Sequence, residues 1–138
     1  MIRYNLDSCN YRFNNRRIIN RWLKESAVAE GYAMGDVNII FCSAARLLEI
    51  NREFLQHDYY TDIITFDYSD LGEGYISGDL FIDVETVADN ASQYGATPLD
   101  EMHRILVHGI MHLCGQGDKS PEDAVAMRAK EDKYLALL

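Results

Sequence analysis

The chain has 138 residues, 48% of them apolar, and a formal net charge of −9. That length supports one core rather than two, and that composition excludes a disordered chain. No apolar run approaches the roughly 20 residues of a membrane-crossing helix, and residues 1–5 lack the basic and then apolar pattern of a secretory leader, so a cytoplasmic protein folded as one domain over 1–138 is expected.

Met1–Leu6 reads as a short strand. Asn14 or Asn15 is positioned to cap a helix running to about Glu30, in which Ile18, Ile19, Trp22 and Leu23 recur at helical spacing. Gly31 and Gly35 bracket its end. Val37–Cys42, compact and rich in β-branched residues, predicts a strand. Ser43 then caps a helix whose apolar side is Leu47, Leu48, Ile50, Phe54 and Leu55. Ile63–Tyr68 and Asp79–Val84 predict two more strands, and the Gly-rich stretch Asp70–Gly78 between them reads as a surface loop. Glu85–Tyr94 predicts a helix ended by Gly95. Pro98 or Leu99 opens another that runs to about Cys114 and stops at Gly115 and Gly117. Ser120-Pro121-Glu122-Asp123 is a strong restart, with a serine cap, proline at the first helical position and acids in the first turn. The order predicts an α+β fold, a small mixed sheet of about four strands packed with five or so helices.

Charge is unevenly spread. Residues 1–24 carry six basic groups against Asp7 alone, leaving seven basic and 21 acidic groups in the rest of the chain. An acidic protein is repelled on average by nucleic acid, although a local basic face can still dock on phosphates. Arg16, Arg17, Arg21 and Lys24 read either as such a face or as a solvated helix surface. Cys9, Cys42 and Cys114 are odd in number, widely spaced and without a CxxC pair, which fits a reducing compartment rather than a disulfide framework.

The chemistry concentrates at His108-Gly109-Ile110-Met111-His112. Imidazoles at i and i+4 share one helix face and converge on a single ion, and neutral imidazole suits Zn2+ and similar metals. A catalytic zinc usually takes three protein ligands and keeps one position open. Gly115 and Gly117 let the chain turn back, which makes Asp118 the candidate third ligand at the end of this helix. Cys114 is rotated away from the histidine face and is expected to pack in the core. His57 and His103 have no comparable arrangement, and His103 is expected to be structural. Gly109 stands where HExxH metalloproteases carry their glutamate base, so the helix supplies no such base.

The string His108-Gly-Ile-Met-His112-Leu-Cys-Gly115-Gln-Gly-Asp118 resembles the HGxxHLxGxxH signature of the YbeY family, bacterial metal-dependent endoribonucleases linked to ribosomal RNA maturation and ribosome quality control. Ile50-Asn51 with Thr61-Asp62-Ile63-Ile64-Thr65-Phe66 is similar to that family's LN…TDVLSF stretch, and Gly78-Asp79-Leu80-Phe81-Ile82 to its GDIxIS strand. The three motifs span about residues 48–118 in the family's order. The resemblance implies an α+β fold with a zinc site beside the sheet. It also implies cleavage of single-stranded RNA in 16S ribosomal RNA processing, with the small ribosomal subunit as partner.

Two departures stand out. Without a gap, the family's third histidine aligns with Asp118; with one inserted residue, Lys119 takes that position, and a protonated lysine has no lone pair to give. Carboxylate in place of imidazole lowers the site's charge by one, so another divalent metal, such as manganese or nickel, is an alternative to zinc. Leu55 stands where many members have an arginine suited to phosphate, with Arg52 nearby. The expected site is therefore His108, His112 and Asp118 for the metal, Asp62 and Asp79 as candidate catalytic acids (or simply a loop cap and a strand-end acid), and Arg16, Arg17 and Arg52 for RNA. A non-catalytic ribosome assembly factor and a metal-dependent hydrolase of another substrate are the alternatives.

Overall fold

The computed structural model describes residues 1–56 and 61–138, and His57 lies outside them. Four strands, β1 (Ile2–Asp7), β2 (Ala33–Cys42), β3 (Ile63–Asp67) and β4 (Tyr75–Asp83), form one mixed sheet in the order β1-β2-β4-β3. The pairs β1–β2 and β2–β4 are parallel, while β3 runs antiparallel to β4 at the sheet's edge. Five helices accompany them among the described residues: α1 (Arg16–Ala29), α2 (Ala44–Leu55), α3 (Val84–Tyr94), α4 (Pro98–Leu113) and α5 (Pro121–Leu135). This is the α+β arrangement expected from the sequence.

Local chemistry places most of these boundaries. Ser43, Thr97 and Ser120 each accept a backbone N–H three residues on, and Pro98 and Pro121 occupy first helical positions. Asp83 caps α3 with Oδ1 accepting from Glu85 and Thr86 N–H at 2.9 and 3.0 Å, so β4 passes into α3 without a loop. Three expectations are corrected. Asn15 adopts φ 61° and makes no side-chain cap, because its left-handed backbone turns the amide away from the first turn of α1. Gly35 does not close α1; it lies inside β2, at a bulge between Met34 and Val37. The second half of the Gly-rich stretch is strand, because Asp70 and Tyr75 exchange backbone hydrogen bonds at 3.1 Å and close a hairpin from which β4 starts.

The sheet separates two apolar layers. On one face Val37, Ile39, Phe41, Ile76, Leu80 and Ile82 meet α1 and α4 in the main core. On the other, Cys42, Ile64, Phe66 and Phe81 meet Leu47 and Ile50 of α2. Residues alternate faces along a strand, so on β4 Leu80 points to α4 while Asp79 and Phe81 point to the α2 side. Helix α5 lies against α4 and is tied to α1. Trp22 Nε1 donates to the Tyr134 carbonyl at 2.7 Å, Lys130 Nζ pairs with Glu30 at 2.6 Å, and Tyr134 Oη also donates to Glu30. That anchoring orients the face of α5 carrying Met127, Glu131 and Tyr134 inward.

Candidate metal centre

Helix α4 packs on β3 and β4 with its C-terminal half beside the edge strand. Gly109 makes the approach close: a Cβ there would lie 2.9 Å from Leu80 Cδ1 and 3.1 Å from Ile63 Cδ1. The position therefore faces the sheet, and a glutamate there would not reach the cleft. Gly109→Glu is expected to bury an unpaired carboxylate in a packed layer and to lower stability by roughly 3 kcal/mol or more, read as a fall in thermal midpoint; an unchanged midpoint would contradict this packing.

His108 and His112 instead line an open cleft of about 520 Å³ between α4, β3 and the end of α2. After Leu113 the chain reverses in a Schellman turn: Gln116 N–H donates to the Met111 carbonyl and Gly115 N–H to that of His112, both at 3.0 Å, with Gly115 at φ +95°. A side chain at that φ is strained, so glycine fits the turn. The reversal carries Asp118 back over the helix. Its Oδ2 comes to 3.2 Å from His112 Nε2 and 3.4 Å from His108 Nε2, and one ligand atom from each of the three residues lies within 4.8 Å of the other two.

Behind His108 stands a group that the sequence reading did not pick out. Glu131 of α5, with a side chain 7% exposed, accepts from His108 Nδ1 at 2.7 Å and from Arg104 at 2.9 Å, and Arg104 reaches on to Asp132 at 2.8 Å. An ionised carboxylate accepts only. The Nδ1–H that it holds leaves the His108 Nε2 lone pair aimed at the cleft, the arrangement that metal-binding histidines require. Burial works against protonating His108, but the bond to Glu131 and the charges of Glu131, Asp118 and Asp62 outweigh it and raise its pKa. Burial and the adjacent His108 lower the pKa of His112, which also has a hydrogen bond with the backbone of Gln116. Burial opposes ionisation of Glu131 too, but His108 and Arg104 overcome it and hold its carboxyl below the usual range.

The remaining candidates separate. Asp62 lines the same cleft, and burial pushes its carboxyl above the ordinary carboxylate range even though His108 pulls it down. Asp79 lies on the α2 side of the sheet and accepts from Asn38 at 2.9 Å, away from the histidines, because strand alternation turns it from α4. Arg16 and Arg17 open α1 and do not line the cleft; Arg16 sits over the Tyr4 ring at 5.0 Å. Arg52 is exposed on α2, next to Asn51, which lines the cleft together with Leu55. Lys119 is a cleft residue as well, but it belongs to the rim and not to the cluster. His103 packs edge-on to Phe13 and Trp22, and Cys114 packs against the main core, its thiol pushed up to about 12 by burial. No helix among the described residues is long and apolar enough to cross a membrane.

Two histidines and one carboxylate, gathered at a helix end and open on one side, could hold a metal ion, and three protein donors with an open position match the pattern of catalytic rather than closed structural zinc sites. The two imidazoles are held where a cation would be shared, so the residues present fit a divalent ion. Comparison with known proteins gives the family. The model of the family described as Endoribonuclease YbeY matches residues 3–138. Proteins named Endoribonuclease YbeY from Bacteroides thetaiotaomicron and Phocaeicola vulgatus are 49% and 46% identical to this chain. The first alignment covers 88% of both chains, the second 100% of this one and 99% of the relative. A solution structure from Thermotoga maritima shares the fold, with a TM-score of 0.67 at 24% identity over 98% of this chain and 87% of that one. This chain belongs to the YbeY family.

Proposed function

We propose that this chain is a metal-dependent endoribonuclease that cuts single-stranded RNA, acting in 16S ribosomal RNA processing and ribosome quality control in the cytoplasm, with the small ribosomal subunit as partner. Zn2+ is the proposed metal, held by His108, His112 and Asp118. The observation that carries the reading is the convergence of these three donors at one open cleft, with Glu131 fixing His108 from behind. Family membership supports the RNA chemistry.

The cleft's charge supports metal dependence. Among its described lining residues Asp62, Asp67 and Asp118 stand against Lys119. Carboxylates facing one another repel a phosphodiester, so RNA approaches only when a cation offsets them. When bound, the ion supplies Lewis acidity at the phosphoryl oxygen and lowers the pKa of water. The protein's own groups do the rest. Glu131 holds the His108 Nδ1 proton, Lys119 at the rim meets a backbone phosphate, and Asp62, whose buried carboxyl takes up a proton more readily than a solvated one, moves a proton at the attacking or leaving oxygen. The openness of the three-donor site counts against a purely structural metal in an assembly factor.

The test is cleavage of single-stranded RNA by the metal-loaded protein, with and without chelator, beside His112→Ala. Chelation and the substitution are each expected to lower turnover at least about 100-fold, since a lost donor should cost no less than a lost outer partner. Unchanged cleavage by the variant, or none by the parent chain with any divalent metal, overturns the proposal.

A further inference from the structure

The other side of β3 carries a second depression, a groove of about 410 Å³ on the α2 face of the sheet. Arg46 and Phe54 of α2 form one wall, with Phe66, Tyr68, Asp79 and Phe81 from the hairpin opposite. Phe54 is 59% and Tyr68 61% exposed, so two accessible aromatic rings line the same groove. Phe66 stands edge-on to Phe54 (5.9 Å, 85°) and to Phe81 (5.7 Å, 84°), so the cluster is rigid before anything binds.

We propose that this groove stacks an unpaired nucleobase of the RNA whose phosphodiester occupies the metal cleft. The inference rests on the nuclease reading and adds a subsite to it. Continuity between the two depressions is the first argument. On α2, Asn51 and Leu55 line the cleft while Ile50 and Phe54 line the groove; on β3 and just beyond it, Thr65 and Asp67 face the cleft while Phe66 and Tyr68 face the groove. One strand, at the edge of the sheet among the described residues, separates them. A chain lying across that edge places a flanking nucleotide over the rings.

The chemistry of the groove is the second argument. Exposed aromatic rings offer stacking to any base, and a planar guanidinium at the rim adds to it. Arg46 is that rim cation, already steadied by Asp7 at 3.0 Å and Glu49 at 3.1 Å. Asp79 accepts one bond from Asn38 through Oδ1, and a carboxylate has further acceptor positions for the exocyclic amine of a base. Bases inside a duplex keep their faces stacked on one another, so the groove admits only unpaired ones. It would therefore contribute a preference for single strands.

The experiment scans a short single-stranded RNA with 2-aminopurine, one position at a time, and reads fluorescence before turnover on mixing with metal-loaded protein. The parent chain is expected to quench one position beside the cut. Phe54→Ala and Tyr68→Ala are expected to lose that quench and to raise KM about tenfold, with kcat and metal content unchanged. An abasic nucleotide at the quenched position should weaken the parent by the same factor and the variants no further. Tyr68 lies outside the core, so its variant reports even if Phe54→Ala folds poorly. If both variants quench and bind as the parent does, the groove is not a base site and the proposal falls. If the parent quenches through Phe54 and Tyr68 but cleaves nothing, the subsite stands and the nuclease reading falls. If no position is quenched by the parent, the subsite falls whatever is cleaved.

Discussion

Asp118→Ala is expected to release the metal. Asp118 Oδ2 is the group that approaches both His112 Nε2 and His108 Nε2, at 3.2 and 3.4 Å, and it sits on a turn held by backbone bonds rather than by its own side chain. Removing it leaves two donors in the cluster, where a catalytic zinc usually takes three from the protein. The loss should reach at least about 100-fold in Zn2+ affinity, beyond that caused by losing an outer partner, with little change in the metal-free fold because Asp118 is half exposed. Competition against a chromophoric chelator and elemental analysis of protein purified without added metal would measure it. Full occupancy in the variant would remove Asp118 from the site. Two companions sharpen the result. Asp118→His would make the donor set three imidazoles and should retain metal, with the ion a stronger Lewis acid for the lost negative charge. Lys119→Ala should leave affinity unaltered, because an exposed ammonium has no lone pair to donate.

Glu131→Ala should damage both the site and the fold. The carboxylate is nearly enclosed and accepts from His108 and Arg104 at once. Without it His108 is free to rotate or to change tautomer, and loss of such a partner commonly costs 10- to 100-fold in metal affinity. The variant also leaves a poorly solvated guanidinium with only the exposed Asp132, for which about 3 kcal/mol of stability is a reasonable scale. Glu131→Gln separates the two effects. Its amide oxygen can still accept from His108, while its amide nitrogen then faces Arg104, so metal affinity should recover more than stability does. Asp132→Asn, at an exposed position, should shift stability by no more than about 0.5 kcal/mol. Calorimetric Zn2+ titration and thermal unfolding of the metal-free protein read the two quantities independently. Unchanged affinity in Glu131→Ala would show that it supports α5 alone.

What could be read from the residues was local. His108 and His112 lie one helical turn apart, and the glycine stop and the capped restart at Ser120 bound a short turn with Asp118 inside it, so the three donors come together by chain geometry alone. Compact apolar runs rich in β-branched residues gave the strands, and the serine caps at Ser43 and Ser120 placed the starts of α2 and α5. Irregular backbone was harder to read. Asn15 has the chemistry of a cap but not its conformation, and the bulge at Gly35 depends on how β2 meets β4 rather than on any neighbour in the chain.

Only the tertiary structure decided which groups serve the cluster. Glu131 is 23 residues from His108 on a different helix, and nothing in the spacing of α5 sets it apart from the other acids there. Its position follows from Trp22, Glu30 and Tyr134 fastening α5 to α1. Asp62 and Asp79 looked equivalent as acids beside strands, yet one lines the cleft and the other faces α2, because alternation along a strand assigns two faces but not which face receives α4. The sequence by itself determined the α+β class and the His–His–Asp set, since both rest on short-range periodicity and turns. The buried partner of His108, and the aromatic groove that shares β3 with the cleft, arise from packing between distant segments, where burial and not spacing brings the side chains together.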